Sequence, residues 1–279
     1  MRTLLIFGLG YTGAAIAQAA RAAGFAVTAT SRGNIAGTIP FDAAEAAIAS
    51  ATHILITAPP GQDGDPVLAR YGKPLASCHA YIGYLSSTVV YGNRDGGWVD
   101  EDTPPAPSQA RGVRRMEAER AWAALADRRC VDIFRLAGIY GPGRSAFDDL
   151  RAGRARRMIK TGHRFGRIHR DDIARAVMAA MTQDRPPGVR VLNLTDDEPA
   201  ESAAVMTEAA RLLGVPPPPE IAFNDALPAM SEMARSFWAE NRQVSGQKTK
   251  AMLGLTWLHP TYREGLRAIL AEERANRPA

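Results

Sequence analysis

The stretch Leu4-Leu5-Ile6-Phe7-Gly8-Leu9-Gly10-Tyr11-Thr12-Gly13 constrains this chain more than any other. An apolar run stops abruptly at glycines spaced G-x-G-x-x-G, and alanine-rich sequence follows. Leu4 to Phe7 predict a buried strand; Ala14 to Ala23, stopped by Gly24, predict a helix of strong helix formers. In such a unit Gly8 makes the tight turn, Gly10 lets backbone approach a pyrophosphate, and Gly13 lets the helix pack closely on the strand. The helix amino terminus, with unpaired N–H groups and partial positive charge, then faces the phosphates. Glycines near a strand end also serve as ordinary turn residues, so the rest of the chain has to arbitrate.

At 279 residues, 46% hydrophobic and 23% charged, the chain suits one large or two intimately joined domains with ample core. Cys78 and Cys130 lie far apart without metal-ligand spacing, which points to reduced thiols, no metal and a cytoplasmic setting. Arg2 and the apolar run imitate a secretory signal poorly, since glycines, Tyr11 and Thr12 interrupt it at once. No stretch approaches the roughly 20 apolar residues of a membrane span. The net charge of +5 is spread thinly except for Arg151, Arg154, Arg156, Arg157, Lys160, Arg164, Arg167 and Arg170. That cluster reads as a solvated face or as a site for an anionic small molecule; nothing aromatic interleaves it as nucleic-acid binding would require.

Further along, Phe25 to Thr30 has strand character and ends at Ser31-Arg32-Gly33, the second strand tip, which meets the adenosine ribose of a bound dinucleotide. An acid there favours NAD; Arg32 with Ser31 favours NADP, with NAD as the alternative, because a charge-assisted hydrogen bond is worth about 1.5–3 kcal/mol. His53 to Thr57 predicts a strand ending at Thr57-Ala58-Pro59-Pro60, and Ala80 to Ser86 another. Helices are predicted over Asp42 to Ser50, over Val67 to Ser77 with a break near Gly72 and Pro74, and over Gln109 to Asp127 with Ser108 as its cap. Val131 to Leu136 and Val189 to Leu194 complete the strands. Alternation of strand and helix up to residue 140 predicts an α/β fold with a Rossmann-type, doubly wound parallel sheet. The expected division is a cofactor-binding core over 1–142, completed by about 168–195, with 143–167 and 196–279 forming a smaller cap on the substrate side.

Four blocks taken together resemble the extended and atypical short-chain dehydrogenase/reductases, often described as NAD-dependent epimerase/dehydratases. They are Gly8 to Gly13, Ser86-Ser87-Thr88-Val89-Val90-Tyr91-Gly92, Arg135 to Gly143, and Arg167-Ile168-His169-Arg170-Asp171-Asp172. The glycine spacing departs from the G-x-x-G-x-x-G of extended members and is similar to the atypical branch. The resemblance implies that Ser87 hydrogen-bonds a reacting oxygen, that Pro142 passes the nicotinamide end of the cofactor, and that Asp171 and Asp172 start a helix beside the substrate.

One element of the family pattern is missing. Members carry Tyr-x-x-x-Lys on the helix after the serine strand; counting back from Glu119 places Arg115 at the lysine position and Arg111 at the tyrosine position. Arg115 retains donors for a ribose, but Arg111 cannot exchange a proton near neutrality. Lys73, Lys160, Lys248 and Lys250 are preceded at that spacing by Ala69, Arg156, Val244 and Gly246, so the pair is not displaced elsewhere. Tyr140 and Arg144 have the spacing across a Gly-Pro-Gly loop, not along a helix. Loss of a positioned acid/base removes about 10²- to 10⁴-fold in rate.

Two readings therefore stand. One is an NADP-dependent oxidoreductase on a small anionic substrate, with Ser87 polarising a carbonyl, Arg111 binding acid groups, and Tyr91, Tyr140 or His169 supplying the proton. The other is a catalytically silent NADP(H)-binding sensor or interaction protein. In either case neither nucleic acid nor membrane is the expected partner, and the chain is expected to be a monomer or homodimer.

Overall fold

The computed structural model describes residues 1–33 and 35–276. Strand β1 (Thr3–Phe7) is buried from Leu4 onward, and the chain turns at Gly8 into α1 (Tyr11–Ala22). Next come β2 (Ala26–Ser31), a short β3 (Ile39–Pro40) that the sequence pattern does not mark, α2 (Glu45–Ser50) and β4 (His53–Ile56). They are followed by α3 (Pro66–Ser77) and β5 (Tyr81–Ser87). Asp65 caps α3 by accepting the N–H groups of Val67 and Leu68, and Pro66 occupies the first turn, where a missing N–H costs nothing. The helix departs from helical geometry at Tyr71, ahead of Pro74.

After β6 (Trp98–Val99), α4 (Ala110–Ala123) leads to β7 (Cys130–Leu136). Ser108 does not cap α4: the cap position is Gln109, and Ser108 Oγ instead donates to Glu240 at 2.8 Å. The Trp122 indole N–H donates to Asp65 at 2.9 Å, so α4 is tied to the cap of α3. Beyond β7 lie β8 (Gly138–Tyr140), α5 (Ala146–Arg151), β9 (Arg157–Ile159), β10 (Arg167–His169) and α6 (Arg170–Thr182). Strand β11 (Gly188–Leu194) then returns beside β7.

The central sheet has seven strands in the order β3-β2-β1-β4-β5-β7-β11, and every pairing is parallel. Parallel sheets need both faces covered. On one face Ile16, Ala17 and Ala20 of α1 meet Ile173, Ala176 and Val177 of α6. On the other, Ile48, Tyr71, Leu75 and Trp122 from α2, α3 and α4 cover Ile54, Ile56 and Tyr84. Each fully buried aliphatic or aromatic side chain contributes about 1.5–3 kcal/mol, which is why the apolar strand runs dominate the fold.

The remaining elements are α7 (Ser202–Leu213), β12 (Glu220–Ala222), α8 (Phe223–Ala226), α9 (Glu232–Trp238), β13 (Gln243–Val244), α10 (Gln247–Leu253) and α11 (Tyr262–Ala275). β12 pairs with β9, while Phe147, Ala209, Tyr262, Leu266 and Ile269 form a separate apolar cluster around Tyr140. Leu253 and Trp257 instead join the core under the sheet, so the segment around α10 belongs to the sheet layer although the sequence assigns it to the cap. Cys78 and Cys130 are free thiols, and no helix among the described residues is long and apolar enough to cross a membrane.

Candidate functional site

β1 and β4 lie side by side, with their connections running to opposite edges of the sheet; at such a switch the carboxyl ends of the strands open a crevice. The crevice has a volume of about 480 Å³ and is lined by Gly8 and Gly10, by Ser31 and Arg32, and by Thr57, Ala58 and Pro59. Gly8 has φ +102°, and a Cβ there would fall 2.7 Å from Thr57 Oγ1. A Cβ on Gly13 would lie 2.5 Å from the Gly8 carbonyl oxygen, whereas nothing lies within 4 Å of the Cβ position of Gly10. The turn is therefore closed at Gly8 and Gly13 and open at Gly10, where a ligand's backbone contact is wanted. Thr57 Oγ1 donates to the Gly8 carbonyl at 2.6 Å and clamps the turn from β4.

Helix α1 has no side-chain cap and no acid in its first turn, so its leading N–H groups and partial positive charge are unopposed. These residues fit a dinucleotide: open backbone donors for the pyrophosphate, and Ser31 with Arg32 where the adenosine ribose rests. Tyr11, Thr12, Gly13 and Pro142 do not line the crevice. Tyr11 donates its hydroxyl to the Pro142 carbonyl at 3.0 Å, joining the start of α1 to the Gly141–Gly143 loop, with Arg144 and Arg170 over its ring. Thr12 is buried.

A second depression, of about 300 Å³, opens at the carboxyl ends of β5 and β7 and contains Ser87. Ser87 Oγ accepts the N–H of Val89 at 3.3 Å, and its own hydrogen has no acceptor among the described residues. Arg111, Arg164, Arg167 and Arg242 line the same pocket against a single carboxylate, Glu240. Arg111 stacks on Phe237 at 4.4 Å; burial and the neighbouring Arg115 and Arg242 lower its pKa. Arg242 donates to Glu240 at 2.8 Å, and Arg167 is held by the carbonyls of Phe165 and Ala200. Burial also lowers the pKa of Arg167, with Asp196 opposing. The rest of the cluster disperses over the surface: Arg151 pairs with Glu273, Arg154 with Asp149, Arg157 with Glu220, and Arg170 with Asp171.

Three candidate side chains are directed elsewhere. Tyr91 is fully buried and donates its hydroxyl to Asn193 at 2.8 Å; burial pushes the phenol up, and it does not reach the Ser87 pocket. Tyr140 contributes to the pocket wall, but its hydroxyl points at α11, 3.5 Å from the Thr261 carbonyl, where a Cβ on Gly265 would strike it. Burial raises its pKa strongly. Arg115 donates to the Tyr84 hydroxyl at 3.1 Å and the Leu85 carbonyl at 3.0 Å, which anchors α4 on β5 and takes it out of the pocket lining.

Glu119, the residue used to align the missing pair, forms a buried ion pair with Arg135 at 2.8 Å and accepts from Ser86. Its role is to lock α4, β5 and β7 together next to Ser87. Asp172 is likewise structural, accepting the N–H groups of Leu258 and His259 at 2.6 and 3.0 Å. His169 lies outside the pocket and caps α6, its Nδ1 accepting from the Asp171 N–H. With Asp171 and His259 it brings ligand-type atoms within 4.8 Å of one another, yet Nδ1 and the Asp171 carboxylate already have protein partners. The residues missed from sequence are Phe237, near the end of the short helix α9, and Glu240 and Arg242 in the irregular stretch that follows it, where no periodic signal marks them.

No family model matches the chain. Among solved structures, a functionally unknown conserved protein from Silicibacter pomeroyi DSS is 40% identical, with TM-score 0.90 over 98% of this chain and 99% of that one. Human epimerase family protein SDR39U1 (isoform 2), solved with NADPH, is 19% identical with TM-score 0.81 over 96% and 99% of the two chains. MoeE5, solved with UDP-glucose and NAD, is 21% identical with TM-score 0.77 over 98% and 99%. A 3-diazoavenalumate denitrifying reductase from Streptomyces is 29% identical over 185 residues, 60% of this chain. The match spans 58% of that relative's length. By these likenesses the chain belongs to one family with the Silicibacter pomeroyi protein and has the fold of the NAD-dependent epimerase/dehydratases.

Proposed function

We propose that the protein binds NADP(H) in the crevice over Gly8 and Gly10 and acts as an oxidoreductase on a small anionic substrate seated beside Ser87. The observation that carries this reading is the Ser87 pocket itself, with four arginines against one carboxylate at the same sheet edge as the crevice over Gly8. Arg32 at the β2 tip supports NADP, since no acid stands there to bind an unsubstituted ribose. A nicotinamide cofactor, when bound, supplies or takes up a hydride. Ser87 contributes its free O–H to the reacting oxygen, and Arg111 orients an acid group of the substrate through charge-assisted hydrogen bonds. The relative from Streptomyces, a reductase by name, supports the same reaction class.

The test is fluorescence titration with NADPH and NADH, followed by NADPH oxidation across a panel of carbonyl acids. Slow turnover that Ser87→Ala abolishes is the expected result.

A second reading, a silent NADP(H)-binding sensor, is favoured by one observation. Tyr91 and Tyr140 are both engaged away from the pocket, so among the described residues neither phenol is turned toward Ser87 to exchange the proton. Tight NADPH binding without oxidation by any member of the panel would decide for the sensor.

A further inference from the structure

The Ser87 pocket is small as well as basic. Its volume of about 300 Å³ sits at the low end of the roughly 300–1,000 Å³ range of small-molecule sites. A second cavity of about 390 Å³ lies behind it, but Tyr140 and Arg167 line both and form the partition between them. That partition is fixed: Arg167 is bonded to the Phe165 and Ala200 carbonyls at 2.9 and 3.0 Å, and the Tyr140 phenol is packed against Gly265. A ligand built from a nucleoside, a pyrophosphate and a sugar ring would have to extend well beyond the front pocket.

The charges inside the front pocket are unequally compensated. Glu240 is occupied by Arg242 and by Ser108, both at 2.8 Å, and Arg167 faces the buried Asp196. No carboxylate lies within 4.0 Å of Arg111 or Arg164 among the described residues. The lining near these two cations is aromatic: Phe237, one face of which Arg111 covers at 4.4 Å, and Phe165, whose ring is held against His163 and Trp238. A guanidinium already stacked on a ring presents its edge N–H groups in one plane, ready for the two oxygens of a carboxylate.

We propose that this pocket takes a compact, planar aromatic carboxylate in preference to a nucleotide sugar, its acid group on Arg111 and Arg164 and its ring beside Phe237 and Phe165. The proposal rests on the functional reading above for the role of the pocket, and its test is separable from that reading. An anion here also relieves the mutual repulsion of Arg111, Arg115 and Arg242.

The experiment is calorimetric titration of the full chain with trans-cinnamate, with cinnamyl alcohol as its uncharged counterpart, and with UDP-glucose, each at saturating NADPH. Cinnamate is expected to bind at least about tenfold more tightly than cinnamyl alcohol, the margin of one charge-assisted hydrogen bond. UDP-glucose should bind more weakly than cinnamate. Arg111→Ala and Arg164→Ala should each weaken cinnamate about tenfold while leaving NADPH affinity unchanged, which also reports that the variants are folded. Equal affinity for cinnamate and its alcohol, tighter binding of UDP-glucose, absence of cinnamate binding, or an Arg111→Ala/Arg164→Ala double variant with undiminished affinity would each overturn the proposal. Titrating NADPH alone scores the cofactor reading separately: cinnamate binding without NADPH binding would sink that reading and leave this one standing.

Discussion

Around Gly8 the chain makes a turn whose only charged side chain at the lip, among the described residues, is Arg32, and the contacts that hold it are made to its own backbone. Thr57 Oγ1 reaches the Gly8 carbonyl, and Gly13 packs on that same carbonyl. Around Ser87, by contrast, guanidiniums arrive from α4, from β10 and the loop before it, and from the stretch between α9 and β13, with distant partners such as Phe237 for Arg111, Ala200 for Arg167 and Gly92 for Arg242. The first site is defined by backbone and tolerates no added volume at Gly8 or Gly13. The second is defined by charge, so its residues can change identity while the fold persists. Arg111, aligned with the family's tyrosine by its spacing from Glu119, lies in this second region, while Arg115 anchors α4 on β5 outside it.

The support beneath the Ser87 pocket should be the most sensitive point of the comparison. Glu119→Ala leaves Arg135 buried without its partner and is expected to destabilise the protein by about 3–5 kcal/mol in urea unfolding. A loss below about 1 kcal/mol would show that the pocket is not braced from below. Gly13→Ala should cost about 1–3 kcal/mol and weaken NADPH, because its new methyl meets the Gly8 carbonyl backbone. Unchanged stability together with unchanged NADPH affinity would remove the contrast between a backbone-defined and a charge-defined site.

The segment around His163 supplies a pH-dependent component. His163, buried against Phe165 and Trp238, has its pKa lowered from 6.5 to about 4, chiefly by burial. The unfolded chain therefore takes up the proton first, so stability declines as pH falls from 6.5 toward 4. His163→Phe should flatten that part of the stability profile relative to the parent protein, as read by thermal unfolding between pH 7 and 4.

Two smaller effects sharpen the comparison further. Arg32→Ala should reduce the preference for NADPH over NADH about tenfold with little change in stability, since Arg32 is exposed. An unchanged ratio in paired titrations would assign the adenosine end to NAD instead. Tyr140→Phe removes a hydroxyl whose contact at 3.5 Å is at the limit of a hydrogen bond, so it should shift stability by less than about 0.5 kcal/mol. Any turnover found should survive it. Complete loss of turnover would restore Tyr140 as the proton donor.

The strand and helix order was legible because apolar runs bounded by glycine and proline report burial directly. β1, β4, β5, β7 and β11 all lie within a residue or two of where the pattern puts them. The kink in α3 near Pro74 follows from chemistry confined to one turn. The directions of Tyr91 and Tyr140 were not legible, because spacing tells which strand end a residue occupies but not which way its side chain leaves it. Tyr91 follows the end of β5 in a buried turn and finds Asn193 of β11, a partner 102 positions away. Ser108 lost its capping role in the same way, to Glu240 at a separation of 132.

Sequence by itself determined the glycine turn, the parallel sheet and the absence of the Tyr-x-x-x-Lys pair. All three depend on residues a few positions apart, where covalent geometry and periodic burial act without help from the rest of the chain. Only the tertiary structure decided that the arginine cluster disperses, that Arg164 and Arg167 alone of it join Arg111 and Arg242 beside Ser87, and that Glu119 braces α4 against β7. Those outcomes depend on which charges are left uncompensated after burial, and that balance is set by contacts between segments that no local pattern connects.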